Sequence, residues 1–297
     1  MGGHAQPAGI HRAVAEVLTG ADFDLDGGQR DGPISRYARE LPEHWCFGGR
    51  AFGGYTSALA LAAVFAHTGR AAAASLSVTF VEAGVPGPVE LLARTIRGGR
   101  IAEAVEVTIS QAGRTILIAS SWLADGWLGP PSVDAPVPFE RYGTASSPLP
   151  DPDEGTPLDW LRDEWAPLRF ARRRGIDYPD SLTGFHRGRP EVALWVTVDN
   201  GQADHDPLRH PQLGDVLHAD AHLFDSPGQV TGFVEAWLLS LDLSIIWQPG
   251  AHLVPSTAWR LFEGRGSVAT SAVSAYGSLR ADDGSLLAVL TSQGLVR

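Results

Sequence analysis

Asp220 is the residue whose position most needs a chemical reason. At 100° per residue, the segment Pro211 to Phe224 puts Leu213, Val216, Leu217, Leu223 and Phe224 on one apolar stripe, and Asp220 falls within about 20° of its centre. Burying an ionised carboxylate there is costly unless donors surround it. A raised pKa or several hydrogen bonds are therefore expected, and both are marks of a functional acid. The surrounding string His218-Ala219-Asp220-Ala221-His222 has the residue types of a metal site. On a helix, however, the two histidines take the face opposite Asp220, so they read as a surface pair and no metal is expected.

Two further stretches carry groups of interest. Gly48-Gly49-Arg50-Ala51-Phe52-Gly53-Gly54 opens into a run of small apolar residues, and glycine at a helix start permits close backbone approach. The bare N–H groups of such a start attract negative charge, whether a phosphate or a polarised thioester carbonyl; tight packing alone is the other reading. The spacing is not that of a dinucleotide-binding loop. Strand Phe233 to Trp247 alternates, with Leu239, Leu241, Leu243, Ile245 and Trp247 on one face and Ser240, Asp242 and Ser244 on the other. In the last strand Gln293 stands where an earlier strand has Trp122, either as a loss of core at a rim or as a group that orients water.

The elements that must position these groups form two similar blocks. Ala74 to Leu123 and Gly232 to the end each run through a strand, a Pro/Gly turn and a ladder of strands, and Ser120-Ser121-Trp122 answers Thr291-Ser292-Gln293. Each block follows one helix, Gly53 to Ala66 or Pro211 to Phe224. The first helix is apolar on every side and must be wrapped, most simply by a sheet. Strands are expected at Ile34 to Trp45, Ala74 to Val81, Val89 to Ile96, Ala102 to Gln111, Thr115 to Leu123 and Glu191 to Val198, with a helix at Ile10 to Leu18 and another at Leu158 to Trp165. Asp22 to Asp31 reads as a polar turn. Asp125 to Thr156, rich in Pro, Gly and Asp, reads as a linker, and Arg172, Arg173 and Arg174 as a solvent-facing strand end or a phosphate site.

Composition narrows the function classes. A chain of 297 residues with 44% hydrophobic content has room for about two domains and a sizeable core. Its net charge of -11, without basic clusters, argues against a nucleic-acid partner. The single cysteine, Cys46, allows no internal disulfide, and neither a signal peptide nor an 18-residue apolar run is visible. A cytoplasmic protein with no membrane span is expected.

Four motifs together resemble the acyl-CoA thioesterase II family: Phe47 to Gly54 before the first helix, Arg97-Gly98-Gly99-Arg100 before a strand ending Gln111-Ala112-Gly113-Arg114, Ser240-Leu241-Asp242-Leu243-Ser244, and Ser292-Gln293-Gly294-Leu295-Val296-Arg297. The likeness covers about residues 31–125 and 190–297. It implies an α+β double hot-dog fold of two tandem units, each a long helix wrapped by an antiparallel sheet, at residues 1–125 and 164–297 with a linker at 126–163. It implies an acyl-CoA or carrier-protein-bound acyl thioester as substrate, no cofactor, and assembly into a homodimer or homotetramer. In that family a helix Asp, a strand Thr or Ser and a C-terminal Gln activate a water; carried over, these are Asp220, Ser240 and Gln293. Gly53 and Gly54 are the residues expected to hold the thioester oxygen. The chain departs from the family in Leu243, often His, and in Ser240, usually Thr. Two other functions compete with hydrolysis. A hot-dog hydratase or dehydratase would need His218 or His222 in the cleft, and a repurposed fold would bind an acyl or polyketide-like ligand without turnover.

Overall fold

The computed structural model describes residues 20–125, 156–157, 168–172, 191–198, 208–223, 238–269 and 271–296. The expected helices at Ile10 to Leu18 and Leu158 to Trp165, most of the expected linker, and Arg173 and Arg174 lie outside the described residues. Two long helices, α1 (Gly53–Thr68) and α2 (Gln212–His222), pack on each other. The strands in chain order are β1 (Asp26–Asp31), β2 (Ile34–Leu41), β3 (Cys46–Phe47), β4 (Arg50–Ala51), β5 (Ser75–Phe80), β6 (Gly87–Arg97), β7 (Ala102–Gln111) and β8 (Arg114–Ala124). They continue with β9 (Thr156–Pro157), β10 (Leu168–Arg172), β11 (Glu191–Val198), β12 (Leu238–Trp247), β13 (Arg260–Ala269), β14 (Ala272–Arg280) and β15 (Leu286–Val296).

Among the described residues thirteen strands form one sheet in the order β1-β2-β6-β7-β8-β5-β12-β15-β14-β13-β11-β10-β9, while β3 and β4 make a separate hairpin ahead of α1. Neighbouring strands are antiparallel, so short turns suffice and hairpins follow one another. Strands from residues 26–124 occupy one side of the sheet and those from residues 156–296 the other, and the two sides meet where β5 pairs with β12, Ser77 opposite Ser244.

Helix α1 is rich in Ala and Leu, which favour helix, and Gly69 ends it in the left-handed region at φ 67° with its N–H on the Phe65 carbonyl. Leu59, Leu61, Val64 and Phe65 are buried, and so are the residues between them, as a helix without a polar face requires. The segment Asp22 to Asp31, expected as a turn, instead contributes β1, which is irregular between Gly27 and Gln29. Gly27 and Gly28 take positive φ, and this lets a polar, glycine-rich stretch pair with β2 through a bulge. Pro42 stops β2 at Leu41, shorter than expected, because it cannot donate a ladder bond.

Helix α2 corrects a second expectation. His218 and His222 do not form a surface pair: both are buried, their rings stacked at 5.7 Å between centroids, with His222 tilted against Phe262. Burial, then the neighbouring His222 and Arg260, hold His218 well below the ordinary imidazole range, against a hydrogen bond with the Thr197 backbone. The helix is covered on nearly all sides from Gln212 to Ala219, so a single stripe understates what it buries. Trp122 is exposed on the outer face of the sheet, while Trp247 is fully buried. Among the described residues no helix is long and apolar enough to cross a membrane.

Candidate active site

Helix α1 begins without a side-chain cap of its own. Its N-cap is Phe52, which has no side-chain oxygen to offer the first amides. The missing acceptor comes from the last turn of α2: Asp220 Oδ2 accepts the Gly54 N–H at 2.8 Å. A carboxylate at a helix N-terminus meets the positive end of the macrodipole, and that holds the two helix ends together.

The absence of side chains on Gly53 and Gly54 is what permits this approach. A Cβ on Gly53 would lie 2.9 Å from Asp220 Oδ2 and 3.2 Å from the Phe80 ring; one on Gly54 would lie 2.5 Å from the Phe52 ring and 3.2 Å from Asp220 Cβ. Gly53→Ala is therefore expected to push the carboxylate off the Gly54 amide. The helix gains propensity from the added methyl, so the thermal midpoint should move little, while kcat should fall about 10- to 100-fold because a shift of about 1 Å in a reacting group is enough to do so. Steady-state rates beside a melting curve check both halves of that expectation.

Ser240 reaches the same carboxylate from β12. Its Oγ donates to Asp220 Oδ1 at 3.4 Å. Strict alternation puts Ser240 on the face away from the helices, and the structure corrects this. The β12–β15 register shifts between Ser240, opposite Gly294, and Asp242, opposite Gln293, so Leu241 is the extra residue of a β-bulge. From Leu243 onward the expected pattern holds: Leu243, Ile245 and Trp247 are buried and Ile246 is 54% exposed. Behind the bulge the pattern inverts, Leu241 is 38% exposed, and Ser240 turns to Asp220. Re-aiming a side chain is a recurrent use of a bulge.

Asp220 is half-buried, in contact with two donors, and its chemistry follows from that. Burial pushes the carboxyl up from its ordinary 3.8 to about 6, against the Gly54 amide and the Ser240 hydroxyl, which both favour the ionised form. Such a group is ionised at neutral pH yet basic enough to take a proton from a bound water.

Gln293 is not brought to this point. In β15 Leu290, Ser292 and Gly294 are buried while Thr291 and Gln293 are exposed, so period-2 alternation sends the Gln293 side chain outward, as it does Trp122 in β8. The Gln293 backbone N–H donates to Asp242 Oδ1 at 2.8 Å. Nor is the Gly54 amide free for a thioester oxygen, since it already donates to Asp220. Phe52 and Phe80, which no spacing rule singled out, are the aromatic walls beside the glycine pair. The other end of the helix pair contrasts with this one. There the buried Gln212 fills the space, its Oε1 accepting the Ala73 N–H and its Nε2 donating to the Ala73 carbonyl, each at 2.8 Å.

A fully buried carboxylate, Asp215, lies on the same helix as Asp220, outside the apolar stripe that periodicity picks out. Its Oδ1 lies 2.8 Å from Arg260 Nε and its Oδ2 accepts the Trp247 indole N–H at 2.9 Å. Asp215 and Arg260 are fully enclosed, and Arg260 also donates to the carbonyls of Val254, Pro255 and Ala258. Asp215 is thus the structurally paired acid, and Asp220 the one left with open capacity. Among the described residues no group of three or more His, Cys, Asp or Glu is placed to hold a metal ion.

Residues 41–124 match the model of the acyl-CoA thioesterase N-terminal domain, a segment that includes β3, β4, α1 and the strands through β8. No curated protein matches the chain in sequence. Among solved structures, a candidate thioesterase II from Thermobifida fusca YX superposes with a TM-score of 0.71 at 21% identity, over 95% of this chain and 98% of that one. An acyl-CoA thioesterase II from Mycobacterium marinum gives 0.66 at 20% identity, over 93% and 96%. A protein with a hot-dog fold from Alicyclobacillus acidocaldarius gives 0.66 at 19% identity, also over 93% and 96%. The fold is thus the hot-dog fold of these structures over nearly the whole chain, and residues 41–124 are similar in sequence to the acyl-CoA thioesterase N-terminal domain.

Proposed function

We propose that the chain hydrolyses acyl thioesters, of coenzyme A or of an acyl carrier protein, with Asp220 as the base that activates water. The observation that carries this is the half-buried Asp220 carboxylate, raised to about 6, set between the Gly54 amide at the start of α1 and the Ser240 hydroxyl on β12. Water held by Asp220 and Ser240 loses a proton to the carboxylate as its oxygen attacks the thioester carbon; collapse of the tetrahedral adduct expels the thiolate, which takes up a proton. The thioester lies beside the N-terminus of α1, where the helix dipole favours the developing oxyanion. The proposal includes two tandem hot-dog units, residues 1–125 and 164–297 joined by 126–163. The division of the sheet at the β5–β12 pair and the presence of one long helix on each side support it.

A base must be ionised to act. With Asp220 at about 6, kcat/KM is expected to rise as the pH is raised through 6 and to level off above 7, as a pH-rate profile would show.

One observation favours a second reading, a double hot-dog fold that binds an acyl ligand without turning it over. Gln293, the third member of the triad that the resemblance implies, faces outward. The hydratase reading has no such support, because His218 and His222 are enclosed behind α2 against Phe262 and the Thr197 backbone. Release of free thiol from a panel of acyl-CoAs and acyl-carrier-protein conjugates, read beside ligand binding by the same panel, separates the two. Thiol release supports hydrolysis, and binding with no release from any member supports the alternative.

A further inference from the structure

The bulge in β12 has to be held open, since a strand pair gains ladder bonds by closing into regular register, and a slip of one residue sends each side chain to the other face. Two side chains occupy the ladder where it is disrupted. Asp242, whose position on the outer face gives it no part in the chemistry, turns along the sheet so that its Oδ1 accepts the Gln293 N–H at 2.8 Å. Across the same pair, the buried Ser292 donates its Oγ proton to the Asp242 carbonyl. The backbone donor and acceptor beside the bulge are thus satisfied by side chains of the two residues that follow the register shift.

We infer that Asp242, assisted by Ser292, is a positioning residue that holds the Leu241 bulge and thereby aims Ser240 at Asp220. In regular register Leu241 would occupy the helix-facing position and Ser240 would face out with Ser244, so the hydroxyl beside Asp220 exists through the bulge alone. The inference rests on reading Asp220 and Ser240 as the reacting site. It adds what neither the family motif nor alternation supplies, a reason for an acid two residues after the hydroxyl.

The experiment combines an NMR titration of the Asp220 carboxyl carbon with thiol-release rates for wild type, Ser240→Ala, Asp242→Ala, Asp242→Asn and the Ser240→Ala/Asp242→Ala pair. Burial, the Gly54 amide and the Ser240 hydroxyl are the influences on Asp220, and the hydroxyl favours its ionised form. Asp242→Ala is expected to raise the Asp220 midpoint by as much as Ser240→Ala does, about 0.5–1 pH unit, and to lower kcat about tenfold. The double variant should show no further change, and Asp242→Asn, which keeps an oxygen for the Gln293 amide, should restore both values. An Asp220 titration unmoved by Asp242→Ala, or effects of the two single variants that add in full, would overturn the inference. If Asp242→Ala does not fold, Ser292→Ala is read by the same two outcomes. The titration needs no turnover, so a chain that hydrolyses nothing would refute the proposed activity while leaving the positioning role decided on its own.

Discussion

Asp220→Asn is expected to lower thiol release about 10²–10⁴-fold and at the same time to make the protein more stable at neutral pH. The loss of rate follows from removing the base while keeping the shape. Asparagine can present its oxygen to the Gly54 N–H and its amide nitrogen to Ser240 Oγ, so both contacts of the carboxylate survive in kind. The gain in stability follows from linkage. The folded-state pKa of about 6 lies above the ordinary 3.8, so between those values the folded protein binds more protons than the unfolded chain. The cost of the buried charge is therefore absent below about pH 4, grows as the pH rises through that window, and is complete above 6. A difference of about two units corresponds to at most about 3 kcal/mol, less what solvent at this half-buried site screens. Denaturant melts of the two proteins at pH 4 and pH 7.5 would show nearly equal midpoints at the first and a higher midpoint for the variant at the second. A variant less stable than wild type at pH 7.5 would mean that the carboxylate is held for structure.

Asp215→Ala is expected to have the opposite profile, a large loss of stability of about 3–5 kcal/mol. The Asp215 carboxylate is the counter-ion of an enclosed guanidinium and the acceptor for an enclosed indole. Truncation would leave Arg260 Nε and Trp247 Nε1 without it in a site that no solvent reaches, and an uncompensated buried charge costs more than a lost contact. Arg260 would keep the carbonyls of Val254, Pro255 and Ala258, which solvate the charge in part and place the expected value toward the lower end of the range. A urea melt gives the number directly. A loss below about 1 kcal/mol would show that those carbonyls suffice and that Asp215 is dispensable.

These two carboxylates, five residues apart on α2, show how far the sequence could be read. Asp220 was legible as an acid on an apolar stripe, and its neighbours Gly53 and Gly54 as a place for close approach. Asp215 was not, because a stripe assumes a solvated opposite face and α2 has almost none; for the same reason periodicity places at the surface two residues, His218 and His222, that the fold buries. Helix α1, apolar all round, could be recognised as enclosed, and β5 to β8 lie within a residue or two of their expected bounds. Beyond Leu243, alternation sorts β12 correctly. Before it, one extra residue reverses the faces, and a bulge leaves no mark in composition. Gln293 is the converse case, where regular alternation from Leu290 was available and points the side chain outward, whereas the family motif points it to the water.

Free-thiol release from acyl-CoA and acyl-carrier-protein thioesters of graded chain length, wild type beside Asp220→Asn at pH 7.5, tests the central claim most directly. The expected result is turnover by the wild type on at least one substrate, lost in a variant that melts at the same temperature or higher. Equal turnover by both proteins, or none from any thioester by the wild type, would contradict it.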